Sequence, residues 1–152
     1  MTVFKIGRCQ YIEDISGQGA FLYGGRWNST GFRLLYTAGN LSLAMLESLV
    51  HFGGRIMGDY CRIAIQIPDS SIITVTADQL PDNWQDNPAP DILRSIGDNF
   101  ILQGEYLTLK IPSVIVPDEY NYLVNPLHQD FKKVKVITRS LVTFDDRLIG
   151  RS

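Results

Sequence analysis

Residues 41–51 read Leu-Ser-Leu-Ala-Met-Leu-Glu-Ser-Leu-Val-His, and our interpretation of the whole chain depends on this segment. Seven of its first ten residues are apolar, and Glu47 carries the only charge among those ten. The pattern predicts a helix that Asn40 or Ser42 caps and that Gly53-Gly54 ends. Burying an ionised carboxylate without a partner costs too much free energy, so Glu47 must be paired, hydrated in a cleft or neutral.

The residues just upstream supply candidate partners for this carboxylate. They include Gly-Gly-Arg-Trp-Asn at residues 24–28 and Leu-Leu-Tyr-Thr at residues 34–37. The adjacent glycines permit a turn or a close approach of the backbone to a ligand. We therefore expect Arg26 and Tyr36 to share a cleft with Glu47.

The composition is typical of a folded globular chain. A length of 152 residues fits a single domain, residues 1–152, with an ordinary hydrophobic core. Hydrophobic residues make up 45% and charged residues 20% of the chain, which argues against intrinsic disorder. A net charge of -2 argues against binding nucleic acid through its phosphates, because that mode requires a basic surface.

Cysteine spacing and hydropathy bear on the cellular compartment. Cys9 and Cys61 match no Cys-x-x-Cys spacing, so the sequence indicates neither a zinc site nor a disulfide framework. The amino terminus lacks the apolar core of a signal peptide, and no run of about 18 apolar residues predicts a membrane span. We expect a cytoplasmic protein with reduced cysteines, no membrane association and no bound metal.

Apolar periodicity predicts short strands with a few helices between them. This pattern is typical of an α+β domain with a mixed, mostly antiparallel sheet. We predict a second helix at 91–99, and loops at 16–20, 81–90 and 118–125. The predicted strands are 3–8, 34–37, 61–67, 72–75, 107–111, 114–116 and 134–142.

Two multi-residue motifs resemble those of RES-domain toxins. The first comprises residues 24–28, Tyr-Thr-Ala at 36–38, and the helix that carries Leu-Ala at 43–44, Glu47 and His51. The second begins with Pro-Ser-Val-Ile-Val-Pro at 112–117 and continues through Glu119, Asn-Tyr-Leu-Val-Asn-Pro at 121–126 and His128. Together they span about residues 3–140. That family is named for an arginine, a glutamate and a serine.

The resemblance implies an ADP-ribosyltransferase-like fold, cleavage of NAD, and a role as the growth-arresting toxin of a bacterial toxin–antitoxin pair. It implies an Xre-type helix-turn-helix antitoxin as partner, and it allows self-association of the toxin. NAD is then a substrate rather than a cofactor. The resemblance assigns Arg26, Tyr36 and Glu47 to catalysis, and Arg8, Arg26, Tyr36, Ser113 and Asn125 to NAD binding.

The proposed chemistry explains why these residue types are suitable. Departure of nicotinamide builds positive charge on the ribose, which the Glu47 carboxylate would stabilise. Guanidinium groups bind diphosphate oxygens through charge-assisted hydrogen bonds, with Arg26 the first candidate and Arg8 the second. Tyr36 would stack on the substrate, and Ser113 would hydrogen-bond to it. The reaction requires no metal.

Several alternatives remain open at this point. The ADP-ribose acceptor is water, phosphate as a co-substrate, or a protein side chain, and we favour NAD depletion over protein modification. A protein ADP-ribosyltransferase and a catalytically silent RES domain that only binds its partner are the alternative functions. Arg26 alone would serve as a structural partner of Glu47, Ser113 as a turn hydroxyl, and Asn125 as a turn cap.

Overall fold

A computed structural model describes residues 1–150, which form a seven-stranded mixed sheet with three α-helices. The strand order is β4-β5-β6-β2-β1-β3-β7, and the pairing is antiparallel except between β4 and β5. The predicted α+β class is confirmed. The helices are α1 (Gln18–Tyr23), α2 (Leu41–Phe52) and α3 (Asp91–Gln103). The strands are β1 (Thr2–Arg8), β2 (Leu35–Ala38), β3 (Tyr60–Gln66), β4 (Ile72–Thr74), β5 (Thr108–Pro112), β6 (Tyr120–Val124) and β7 (Lys135–Val142).

Helix α2 begins and ends at the residues that the sequence indicates. The Asn40 side chain accepts a 2.8 Å hydrogen bond from the backbone N–H of Leu43, and Gly53 ends the helix in the left-handed conformation. Leu43 and Ala44 are buried against the sheet beside Phe4 and other apolar side chains. Glu47 lies three and four residues further on, so it continues this buried stripe one turn along the helix.

Helix α3 covers the same face of the sheet. Leu93 and Phe100 pack with Trp27, Trp84 and the apolar residues of β5 and β6. The helix runs four residues beyond the predicted end at 99, and Gly104 closes it with a φ of 62°. We call the sheet face that α2 and α3 cover the helix face.

The opposite face of the sheet buries a separate apolar layer. Successive strand residues point to opposite faces, so Val3, Ile63 and Ile65 lie on this second side. Ile12 from the β1–α1 connection is buried there, and Phe131 packs against the same layer. Both faces are therefore covered, which fixes the register of the central strands.

Three local predictions are wrong. Residues 16–20 were expected to be a loop, but residues 18–20 lie in α1, and residues 114–116 form no strand. Residues 118–125 were expected to be rich in turns, whereas Tyr120–Val124 is the strand β6. The tyrosines and valine of this segment favour a strand, and pairing with β2 on one side and β5 on the other stabilises it despite Asp118 before it and Asn121 within it.

Cys9 and Cys61 are joined by a disulfide, with a Cα–Cα distance of 4.8 Å. The expectation of two reduced, unlinked cysteines is therefore wrong. The Cys9 N–H donates to the carbonyl of Asp59, which continues the β1–β3 ladder and brings both cysteines to one face of neighbouring strands. Sequence spacing gives no sign of this proximity because it depends on the strand register. Disulfides are rare in a reducing cytoplasm.

Across residues 1–150, no helix combines the length and the apolar character that crossing a membrane requires. In the same range, no group of three or more His, Cys, Asp or Glu side chains is arranged to hold a metal ion.

Candidate active site

The half-buried carboxylate of Glu47 accepts two hydrogen bonds on one oxygen. The hydroxyl of Ser113 and the amide nitrogen of Asn121 each lie 2.8 Å from Oε1. Both donors come from the sheet, whereas Glu47 comes from α2. The predicted partners Arg26 and Tyr36 make neither of these bonds, so neutral donors satisfy the carboxylate.

Strand register explains why both donors reach the same oxygen. Asn121 on β6 lies directly opposite Ile111 on β5, and Ser113 follows Ile111 by two residues. Ser113 and Asn121 are therefore diagonal neighbours on the helix face, within reach of one acceptor. The Ser113 N–H donates to the carbonyl of Glu119 at 2.9 Å, which extends the β5–β6 pairing past the end of β5.

All hydrogen-bonding positions of the Ser113 hydroxyl are used within the protein. The oxygen accepts from the backbone N–H groups of Ile115 and Val116 at 3.0 and 3.1 Å. The hydroxyl proton is directed to Glu47, and the Ser113 side chain is 0% exposed. Since a hydroxyl has one proton and two lone pairs, this group has no capacity left for a substrate.

Arg26 anchors the 81–90 loop. Its Nη1 donates to the carbonyls of Trp84 and Asp86 at 3.1 and 3.0 Å. Burial is the main cause of a lowered pKa for the Arg26 guanidinium, and the carboxylates of Glu47 and Asp86 act in the opposite direction. Among the described residues Arg26 forms no ion pair with Glu47, so the two groups interact only at longer range.

The Tyr36 hydroxyl is also held within the protein. It donates to Oδ1 of Asn28 at 2.7 Å and accepts from the backbone N–H of Trp27 at 3.1 Å. Burial raises the pKa of Tyr36 well above its ordinary value of 10.0. A Cβ at Gly25 would lie 2.6 Å from the Tyr36 hydroxyl oxygen. Glycine at this position therefore permits the close approach of the Tyr36 hydroxyl to the backbone.

Asn28 organises the loop that carries Arg26. It is 0% exposed, and its Nδ2 contacts the carbonyls of Ala20, Ser29 and Phe32 at 2.9 to 3.1 Å. Through Oδ1 it also accepts a hydrogen bond from the Tyr36 hydroxyl. Sequence reasoning gave Asn28 no role, although it stands in the first motif. A polar residue inside a glycine-rich, tryptophan-containing segment was the available signal.

Arg94 is a second cation beside this loop, and the sequence analysis missed it. Its Nε contacts the Gly25 carbonyl at 3.4 Å, and its Nη1 pairs with Asp91 at 3.0 Å. The positive charge of Arg94 acts to lower the pKa of Tyr36, but this effect is smaller than that of burial, which raises it. An exposed arginine on an amphipathic helix gives no sequence signal of this position.

Arg8 and Asn125 lie outside the hydrogen-bonded cluster around Glu47. Arg8 is exposed at the end of β1, where it pairs with Tyr60. Oδ1 of Asn125 accepts from the Leu127 N–H at 2.9 Å and so closes the turn after β6. Asn125 follows Asn121 by four residues, which corresponds to about 13 Å along a strand.

One surface cavity lies away from this cluster. It has a volume of about 470 Å³ and is lined by residues that include Asp14, Arg33 and Phe131. A second, smaller one, of about 130 Å³, lies between α3 and β4–β5. Neither cavity includes Glu47, so hydrogen bonding rather than concavity identifies the candidate site.

Comparison with known proteins identifies the family of this chain. Residues 2–145 match the RES domain family. "Toxin Res" of Photorhabdus laumondii subsp. laumondii is 36% identical over 152 residues, covering 98% of this chain and 97% of that protein. "Prs ADP-ribosylating toxin" of Sphingobium sp. is 37% identical over 150 residues, covering 95% of this chain and 92% of that protein.

A solved structure shares the fold. One chain of the crystal structure of the M. tuberculosis MbcT-MbcA toxin-antitoxin complex superposes with a TM-score of 0.80. The match covers 97% of this chain and 86% of that chain, at 16% sequence identity. This chain therefore shares its α+β fold with one chain of that complex. The chain belongs to the RES-domain family, among its toxins, and the resemblance noted in the sequence is confirmed.

Proposed function

We propose that this chain is the toxin of a toxin–antitoxin system and that it cleaves the nicotinamide–ribose bond of NAD. The observation that carries this proposal is the Glu47 carboxylate, held on a rigid helix by Ser113 and Asn121. A fixed negative charge is what a ribose that develops positive charge requires. The name of the Sphingobium relative supports this chemistry, because transfer of ADP-ribose from NAD begins by breaking the same bond.

The arrangement of Arg26 suggests how it binds the diphosphate. Loop carbonyls take Nη1, which leaves the other N–H groups of the guanidinium for phosphate oxygens. Its partial burial strengthens such contacts because the local dielectric is lower than in water. Arg94, whose Nε contacts the Gly25 carbonyl, adds a second cation to the same region.

Tyr36 and Ser113 take narrower roles in this proposal than their sequence assignments. The Tyr36 hydroxyl is used by Asn28 and Trp27, so its ring face rather than its hydroxyl would contact NAD. The Ser113 hydroxyl is used completely, so it would act on NAD through Glu47. Arg8 and Asn125 lie outside the cluster around Glu47, so they would contact only the parts of NAD that are far from the bond that is cleaved.

Water or phosphate is the acceptor that we propose, with net loss of NAD and arrest of growth in the cytoplasm. Transfer to a protein is the second candidate, and the name of the Sphingobium relative favours it. NAD labelled in its adenosine half separates these outcomes when the purified toxin is mixed with cell extract. Free ADP-ribose or its phosphate supports NAD depletion, and label retained on protein supports transfer.

We further propose that an Xre-type antitoxin neutralises this toxin. The solved toxin–antitoxin complex with the same fold supports an antitoxin partner. Co-expression of the chain with the product of a neighbouring Xre-type gene should restore growth and yield a complex on gel filtration. Continued growth arrest, with no complex formed, would contradict this partnership.

A further inference from the structure

The Asn121 side chain makes a hydrogen bond to Glu47 that the pairing of its strand does not require. Its backbone pairs with Ala38 on β2 and Ile111 on β5, and those bonds hold the strand whatever the side chain is. The side chain projects to the helix face, where Nδ2 donates to Oε1 of Glu47 at 2.8 Å. Among residues 1–150, this is the one hydrogen bond that the Asn121 side chain makes.

The two donors leave the carboxylate with unequal oxygens. In the described part of the chain, every hydrogen bond to the Glu47 carboxylate ends on Oε1. The last torsion of a glutamate is broad, so a single donor would let the carboxylate rotate. Donors from β6 and from the turn after β5 restrict that rotation from two directions and leave Oε2 available to a ligand.

We infer that Asn121 is a positioning residue, which orients Glu47 so that Oε2 faces the ribose of NAD. This inference rests on the proposed cleavage of NAD. Asn121 itself contacts no reacting atom and acts through Glu47. A carboxylate fixed before the substrate binds needs no reorganisation when charge develops on the ribose, and that pre-organisation lowers the barrier.

Asn121 gives a cleaner test of this idea than Ser113. Removal of the Ser113 hydroxyl would also leave the N–H groups of Ile115 and Val116 without their acceptor. Asn121→Ala removes one bond and little else. The loss of a hydrogen bond to a charged group corresponds to about a 10- to 100-fold change in a rate or equilibrium constant, so kcat should fall by about that factor. KM for NAD should change by less than about twofold, because no substrate contact is lost.

Asn121→Asp provides a readout that a purely structural role would not change. It keeps the shape of the side chain but removes both N–H donors and places a second carboxyl group beside Glu47. Two carboxyl groups this close share one proton, and the protonated form again donates a hydrogen bond. The activity of Asn121→Asp relative to wild type should therefore rise as the pH falls from 8 to 5, on the order of tenfold.

Asn99→Ala, at an exposed position of α3, is the matched control and should retain wild-type kcat. Melting curves accompany every variant, and Asn121→Asp serves if Asn121→Ala does not fold. Wild-type kcat in Asn121→Ala, or a proportional rise in KM with kcat unchanged, would overturn the positioning role. So would a pH profile of Asn121→Asp parallel to that of wild type.

A spectroscopic readout separates this inference from the proposed reaction. Side-chain amide protons of Asn121 bonded to a carboxylate should shift in the 15N-correlated spectrum when Glu47 is changed to Gln. Unchanged Asn121 side-chain signals in Glu47→Gln would show that the contact does not exist. Wild type that releases no nicotinamide, with the shift present, would instead overturn the proposed function and with it the catalytic meaning of the contact.

Discussion

The hydroxyl of Ser113 donates a 2.8 Å hydrogen bond to Oε1 of Glu47, across 66 residues of sequence. The bond ties α2 to the end of β5. It also continues into the backbone, because the same oxygen accepts from the N–H groups of Ile115 and Val116. The charge of Glu47 is thereby held by a turn that is itself hydrogen-bonded, rather than by a mobile side chain.

Ser113→Ala should therefore lower both stability and activity. Two partly buried N–H groups lose their acceptor, which costs about 1–3 kcal/mol of the free energy of unfolding. Thermal unfolding should show a Tm lower by about 2 to 12 °C. Ser95→Ala on the exposed side of α3 is the control and should leave the Tm unchanged. An unaltered Tm in Ser113→Ala would contradict the role of this turn.

Gly97→Ala should disrupt the packing of α3 against the Arg26 loop. A Cβ at Gly97 would collide with the backbone carbonyl of Trp27, so relief of the clash requires a shift of the backbone. Overpacking of this kind costs about 1–3 kcal/mol or more, so urea denaturation should show a clear loss of stability.

Gly19→Ala is the matched control for that variant. A Cβ at Gly19 meets nothing within 4 Å, and alanine favours the helix α1 in which Gly19 lies. We expect unchanged or slightly higher stability. Equal effects of the two substitutions would show that α3 does not press on Trp27.

Tyr36→Phe should change how stability depends on pH above 10. Burial raises the pKa of Tyr36 in the folded state, so the neutral phenol stabilises the fold fully below the unfolded pKa of about 10. As the pH rises further, the Tyr36 phenol ionises only in the unfolded chain, so the free energy of unfolding falls by about 1.4 kcal/mol per pH unit. Tyr36→Phe should lose less stability between pH 10 and 11, as measured by urea denaturation. Identical pH slopes in the two proteins would contradict the burial of the phenol.

Arg26→Ala should raise KM for NAD about 10- to 100-fold, since a charged hydrogen-bonding group is lost from the proposed diphosphate site. The 81–90 loop should also become more sensitive to protease, because its two carbonyls lose their donor. Arg26→Lys keeps the charge but not the forked geometry and should recover only part of the affinity. Arg55→Ala, at an exposed position, is the control. Wild-type KM in Arg26→Ala would remove this residue from NAD binding.

Features encoded within a few neighbouring residues could be predicted from the sequence. Asn40 and Gly53 mark the ends of α2 because capping acts within one turn of the helix. Helix α1 was missed because it has six residues, and Gly17 before it offers no side-chain cap. Contacts such as that between Asn28 and the Ala20 carbonyl support it instead, and these follow from the tertiary fold.

The site could be predicted in part. Glu47 stood out as a lone charge on an apolar helix, and resemblance brought in Ser113. The partnership of Asn121 with Glu47 depends on the register between β5 and β6, which no local pattern encodes. The disulfide between Cys9 and Cys61 was missed for the same reason.

Nicotinamide release from NAD by wild type and Glu47→Gln, with and without phosphate, tests the central claim most directly. Glutamine keeps the shape of the side chain and loses its charge, so the Tm should change little while the rate falls by at least about 100-fold. Acceleration by phosphate would identify phosphorolysis. Equal release by both proteins at equal folding, or no release by folded wild type free of antitoxin, would contradict an NAD-cleaving site at Glu47.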